Sequence, residues 1–415
     1  MVDPAHNPTG GALAGLRVLD MATMLAGPYG ATLLGDLGAD VIKVESQVGD
    51  DSRHLGPERD GEHSPFLSLN RNKRSLVLDL RQAAAQEVFA RLLQTSDVLI
   101  TNVREPALSR LGSSYEQVCR HRPDIIWAGV TAFGPDGPYA GRPGIDFLAQ
   151  GFAGLLAMTG ERGGPPARVT VPVVDVMTSL LVVSGVLAAL HVRTQTGKGQ
   201  RIDVSLLDAT VHAQCSGLGY YFVSGEAPPR AGNRSQYFAP SGIFTCKDGK
   251  GIVLTCPSEK FFRNLCAALD VDWADAPRFQ TIAQRLQNED ELERLLSARC
   301  REFVRDELLA RLTAADMLVA PVNEIPDVVR DPQILHNGMI VTTEHATLGP
   351  IKVTGVPVHL HGTPGSVRLA PPVHGQHTTD LLAELGYGGE AITALRRDGV
   401  VATPAELRNR ARAGK

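Results

Sequence analysis

The sequence predicts an α/β protein: a parallel sheet with helices on both faces, joined to a smaller second domain. Three observations carry this. Short β-branched runs alternate with helical stretches through the first half of the chain, and strands separated by helices at that spacing imply βαβ crossovers. The 415 residues exceed what one compact core usually holds. The composition turns polar and Gly/Pro-rich at Ser224–Gln236 (SGEAPPRAGNRSQ), a plausible crossing between domains.

Taken in order, residues 1–13 are rich in Gly, Pro and Asn and read as a loose tail. Arg17–Met21 (RVLDM) is the first strand, and Gly27–Gly38 a helix with Pro28 near its first position. The next strands are Val41–Glu45, Ser75–Leu80, Asp97–Thr101 and Ile125–Thr131, with helices at Ala83–Leu93, Pro106–Leu111 and Tyr115–Arg120 between them. Ala167–Asp175 (ARVTVPVVD) reads as extended, followed by a long apolar helix, Val176–Arg193, stopped by Gly197 and Gly199, and then a strand, Arg201–Leu206. Residues 241–325 mix short strands (GIFTC, GIVLT) with helices at Glu259–Leu269 and Asp290–Ala314. After Asp331-Pro332 the pattern turns β-rich and closes with a helix near Asp380–Leu385 and a polar tail. No internal repeat is present.

A net charge of −4 gives no field suited to nucleic acid or an anionic membrane. The N-terminus lacks a basic stretch followed by an apolar one, and no uncharged apolar run reaches 18 residues, so no membrane partner is expected. The six cysteines are scattered without CxxC pairs and read as reduced thiols. A cytoplasmic protein without a metal site is expected.

Four segments are candidates for chemistry. The first βα loop, Ala22–Pro28 (ATMLAGP), lies where open parallel sheets bind ligands, beyond the carboxyl ends of the strands. It carries neither GxGxxG nor GxxxxGK[ST], so a nucleotide fingerprint is unsupported, and a plain loop into a packed helix is equally compatible. Asn70–Ser75 (NRNKRS), with Arg81 beyond the next strand, offers cations for phosphates, although a solvated turn is the better reading of these residues alone. Asp175, at the junction of the extended run and the long helix, is placed to cap that helix. The same position suits a nucleophile, because a helix N-terminus keeps a carboxylate ionised and offers N–H groups to an oxyanion. Asp146 (PGIDFLAQ) is a second carboxylate at a helix start, and the two Asp read equally as unrelated caps. His374 and His377, around Gly375, suit a structural turn, with Thr378 or Thr379 capping the last helix.

Beyond these segments, the chain resembles class III CoA-transferases (the CaiB/BaiF family) along nearly its whole length. The matching stretches are LAGLRVLDMATMLAGPYGATLLGDLGADVIKVE, NRNKRSLVLDL, NVREPALSRLG, GVTAFGPDGPYAGRPGIDFLAQGFAGLLAMTG, TGKGQRIDVSLLDA, DPQILHNGM and GQHT. The resemblance implies a Rossmann-like large domain built from residues 14–224 and a returning segment, 329–415, with a smaller α+β domain, 225–328, between them. It also implies an interlocked homodimer. Asp175 matches the family's nucleophile, which forms an aspartyl-CoA intermediate, with a coenzyme A thioester as substrate and no tightly bound cofactor. Leu78, Arg81, Asn102 and Arg110 match CoA contacts, and Leu25 and Asp146 match substrate-side positions. The pattern is closest to the succinyl-CoA:glutarate branch, which implies succinyl-CoA as donor and a dicarboxylic acid as acceptor.

Several positions depart from the family's oxalate enzymes. Ser46 replaces an Arg, Leu25 a Gln and Pro143 a Lys, and Cys256–Arg263 (CPSEKFFR) stands where those enzymes have a glycine-rich loop. These differences argue against oxalate or formate as substrates. The α-methylacyl-CoA racemase branch places a proton-transferring His where this chain has Ile145, which moves no proton. A non-catalytic CoA-binding protein is the other alternative, and a nicotinamide-dependent dehydrogenase lacks its glycine fingerprint here.

Overall fold

The alternating Val, Leu and Ile of the first strand send Val18 to one core layer and Leu19 to the other, as a strand covered on both faces requires. The structure, a computed structural model, describes residues 10–413. Seven strands form the main sheet: β1 (Arg17–Asp20), β2 (Asp40–Glu45), β3 (Lys73–Leu78), β4 (Val98–Thr101), β5 (Ile126–Thr131), β6 (Arg201–Ser205) and β7 (Val401–Ala402). Their order is β7-β3-β2-β1-β4-β5-β6. Neighbours are parallel except β7, which runs antiparallel to β3 with Val401 opposite Leu78. The expected parallel sheet is therefore a mixed one.

Helix α1 (Ala26–Asp36) packs Ala31 and Leu34 on one face of the sheet, and α2 (Ala83–Gln94) packs Val88, Phe89, Leu92 and Leu93 on the other. Short helix α3 (Asp146–Phe152) precedes α4 (Val173–Thr196). Val174, Thr178, Val182, Val186 and Leu190 recur every fourth position along α4 and form its buried face. The helix ends at Gly197, whose φ of 69° is the left-handed conformation of a C-terminal cap. At 24 residues, α4 is longer than expected, and it is long and apolar enough to cross a membrane. The expected extended run to Asp175 stops at Pro172, because the helix already begins at Val173.

The cations of NRNKRS are neither in a solvated turn nor arrayed for phosphate. Arg71 is fully buried and forks onto Asp36 at 3.0 and 2.5 Å. Lys73 is fully buried against Asp20, and Arg74 pairs with Asp40 and Glu384. These partners draw Lys73 and Arg74 into β3, which starts two residues earlier than its apolar pattern suggests.

The returning segment closes the free edge of β3. His377 Nδ1 accepts from Ser75 N at 3.2 Å, and Thr378 Oγ1 accepts from Val77 N at 3.1 Å. Thr378 therefore serves the sheet, while His377 stands at the N-cap of helix Thr378–Glu384 without a side-chain cap bond. The expected polar tail instead holds helix Gly389–Arg397, strand β7 and helix Pro404–Ala413. At the other terminus, residues 1–9 of the expected loose tail lie outside the described residues. Residues 10–13 are turned, with Leu13 N donating to Leu37 O at 2.8 Å.

The chain divides into two compact units. Among the described residues, one holds 10–153, 170–216 and 335–413, and the other holds 154–169 and 217–334. The second unit is larger than the expected 225–328. Arg230 explains part of this, donating to Ala157 O at 3.0 Å and also bonding Gly164 O, which ties 154–169 to it. This unit carries an antiparallel sheet of Ser241–Thr245, Gly251–Thr255 and Leu318–Pro321. Helices Glu259–Leu269, Glu289–Cys300 and Arg305–Ala314 surround a core containing Phe244, Leu254, Phe262 and Leu308. The helix expected over Asp290–Ala314 breaks after Cys300, where Phe303 turns onto the core and its carbonyl accepts from Lys247 N at 2.8 Å.

Candidate active site

The carboxyl ends of β1, β2 and β3 open into a cavity of about 330 Å³, the position an α/β sheet reserves for ligands. Met21, Ala22 and Thr23 after β1, Ser46–Asp50 after β2, and Leu78–Arg81 after β3 line it, with Val103 and Leu111 completing the wall. Leu78 is buried in the wall, and the Arg81 side chain is 78% exposed and forks onto Asp79 at 2.7 and 2.9 Å. Arg110 is exposed at the end of helix Ala107–Arg110, one residue before Leu111.

Asn102 belongs to this region but not as a free contact. Its Oδ1 accepts from Thr23 N at 2.9 Å and its Nδ2 donates to Thr23 O at 2.8 Å, so both ends of the amide hold the first βα loop. Leu25, at the N-cap of α1, is half-buried and accepts from Tyr29 N through its carbonyl.

Asp175 is the third residue of α4 rather than its cap. The capping is supplied from α3: Asp146 Oδ2 accepts from Val174 N at 2.8 Å and from Asp175 N at 3.4 Å. Asp146 is 5% exposed, and its Oδ1 accepts from Gln150 Nε2 at 2.6 Å. The two carboxylates are thus neighbours rather than unrelated caps, and the helix N–H groups expected to serve an oxyanion face Asp146. Burial, followed by the charge of Asp146, pushes the Asp175 carboxyl up to about 7. A carboxylate held that basic is a better nucleophile when ionised.

Residue patterns did not single out Lys43 and Asp50, which also line the cavity. Lys43 Nζ lies 2.7 Å from Asp50 Oδ2, 3.3 Å from Asp20 Oδ2 and 2.9 Å from Ala22 O. A signal for Lys43 existed: a lysine inside the apolar run VIKVE, beside a first strand ending in Asp20, implies a buried ion pair. Asp50, in a polar loop, left none. Among the described residues no cluster of His, Cys, Asp and Glu suits a metal ion.

A cleft beyond the strand ends of an α/β sheet and, in the same unit, a part-buried carboxyl raised to about 7 suit group-transfer chemistry on a bound ligand. The chain belongs to CoA-transferase family III, whose profile matches residues 13–378. It is 35% identical over 393 residues to the succinyl-CoA:glutarate CoA-transferase of Homo sapiens, covering 94% of this chain and 90% of that one. It is 34% identical over 382 residues to the succinate–glutarate CoA-transferase of Agrobacterium fabrum (strain C58), covering 90% and 95%. The crystal structure of a CAIB/BAIF family protein from Brucella suis superposes with a TM-score of 0.84 at 34% identity, over 91% of this chain and 100% of that one.

Proposed function

We propose that this CoA-transferase moves coenzyme A from succinyl-CoA to a dicarboxylic acid through an aspartyl-CoA intermediate on Asp175. The observation that carries the reading is the basic, part-buried carboxylate in the first turn of α4, beside Asp146. The Asp175 carboxylate attacks the donor thioester carbonyl, and the C–S bond breaks to give a mixed anhydride and CoA thiolate. The thiolate attacks the aspartyl carbonyl, expelling the donor carboxylate and leaving an aspartyl-CoA thioester. The acceptor carboxylate attacks that thioester, and the released thiolate then attacks the acceptor carbonyl of the new anhydride, regenerating Asp175. Every nucleophile in the sequence is an anion, so no general base is needed, provided that Asp175 is ionised. The acceptor class follows the two relatives named for glutarate.

Leu78 supplies an apolar surface to the CoA moiety, and Arg81 and Arg110 supply charge to its phosphates. Arg81→Ala is expected to raise the KM for acyl-CoA by about tenfold, on the order of 1.5 kcal/mol for one charge-assisted bond. The acceptor KM and the melting temperature should not move. Equal rises in both KM values in steady-state assays would remove Arg81 from the CoA site. Asn102 acts through Thr23.

The proposed assembly is the interlocked homodimer. In its support, Leu180 and Leu187 stand 52% and 37% exposed on α4, opposite its buried face. An apolar face of that kind suits a partner subunit.

Ile145, at the N-cap of α3 and 62% exposed, carries no acid/base group for α-proton exchange. The test combines two incubations read by mass spectrometry: succinyl-CoA with a panel of mono- and dicarboxylic acids, and 2-methylacyl-CoA alone in D₂O. CoA exchange onto dicarboxylates with no deuterium at the α-carbon is expected. Rapid deuteration without any CoA exchange would replace the transferase reading by the racemase one.

A further inference from the structure

We infer that Asp50 is a positioning residue: it holds Met24 in a left-handed backbone conformation and so sets the path of the loop Ala22–Leu25 from the cavity wall to the turn that carries Asp175. The inference rests on the transfer reading above. Met24 has φ 71°, a region that non-glycine residues enter at a cost. The residue is 41% exposed, so burial does not account for the conformation.

What does account for it is a set of bonds to the loop backbone. Ala22 N donates to Asp20 Oδ1 at 3.0 Å, and Ala22 O accepts from Lys43 Nζ at 2.9 Å. Thr23 is held at N and O by Asn102, and Met24 N donates to Asp50 Oδ1 at 3.1 Å. Asp50 is itself fixed. It is 1% exposed, accepts from Ser52 N at 2.8 Å and Ser52 Oγ at 2.7 Å, and pairs with Lys43 at 2.7 Å. Farther along the loop, Ser179 Oγ lies 2.8 Å from both Ala26 O and Asp175 O. A change in φ at Met24 would move the cavity wall relative to the nucleophile's turn, and misplacement of this kind lowers turnover more than binding.

The test separates backbone conformation from side-chain contact. Met24→Gly adopts a positive φ freely and is expected to keep a kcat close to wild type. Met24→Val places a β-branched residue there and is expected to lose roughly tenfold or more in kcat, with a smaller change in acyl-CoA KM and a somewhat lower melting temperature from the added strain. Asp50→Ala should lose kcat in the same way, and Met24→Gly in that background should restore part of it. A Met24→Val enzyme that keeps its rate overturns the inference, as does a Met24→Gly enzyme that loses as much as Met24→Val, or a double variant no better than Asp50→Ala. If Asp50→Ala does not fold, the two Met24 variants decide the question alone. A wild-type enzyme that transfers CoA to no acid overturns the transfer reading and this inference with it. Wild-type transfer without the Gly/Val split overturns the inference alone.

Discussion

Asp175→Asn is expected to lose CoA transfer by on the order of 10⁴-fold or more, because the carboxylate oxygen itself forms the bond and an amide is not a nucleophile. Wild-type enzyme incubated with acyl-CoA and hydroxylamine should become modified at Asp175, as peptide mass analysis would show. Near-wild-type turnover in Asp175→Asn would end the mechanism. The pH dependence follows from the same carboxyl. Burial and Asp146 raise it to about 7, so the attacking anion fills in as pH rises through that value, and the rate falls below it. Stability moves in the opposite sense. Between the ordinary value of 3.8 and about 7, the folded enzyme keeps a proton on Asp175 that the unfolded chain has lost, so stability falls as pH rises across that window. Asp175→Asn never ionises and should escape this fall. It should therefore melt no lower than wild type at pH 8, which separates loss of chemistry from loss of fold.

Asp20→Ala is expected to lower unfolding free energy by about 3–5 kcal/mol, the cost of stranding buried charge. Asp20 Oδ2 lies 2.7 Å from Lys73 Nζ and 3.3 Å from Lys43 Nζ, and both lysine side chains are at most 1% exposed. Burial disfavours both ammonium groups. For Lys43, the charges of Asp20 and Asp50 outweigh it and hold the group above its usual value. Lys73 shares only Asp20 at close range, and burial takes it down to about 8. Removing Asp20 leaves Lys73 with the carbonyl of Pro28 and the amide oxygen of Asn70, which carry no charge. Asp40→Ala is the comparison. Its side chain is 34% exposed beside Arg17 and Arg74, and its loss should cost about 1 kcal/mol or less. Equal denaturation midpoints for the two variants would show that the buried cluster contributes no more than a surface pair.

The strand–helix alternation of the large sheet and the family were legible in the chain alone, because both are written locally. Val18 and Leu19 alternate between layers through the geometry of a strand, and Gly197 ends α4 where only a glycine is at ease. The motif blocks that resemble class III CoA-transferases are contiguous stretches and were legible for the same reason. Leu78 and Arg81, which the resemblance marks as CoA contacts, line the cavity at the end of β3.

Tertiary structure alone decided where the charges went. The cations of NRNKRS look solvated until Asp36, 35 residues before Arg71, and Asp20, 53 residues before Lys73, are brought against them. Asp175 looks like a cap until Asp146, 29 residues earlier, takes the helix N–H groups; burial, followed by the Asp146 charge, then raises the carboxyl left beside them. The last strand, β7, is two residues long and becomes a strand only because Val77 and Leu78 offer it an edge. In each case the deciding term is the desolvation and pairing of a charge, or the pairing of a backbone edge. Those terms depend on which distant residue arrives, and no local window of sequence contains that information.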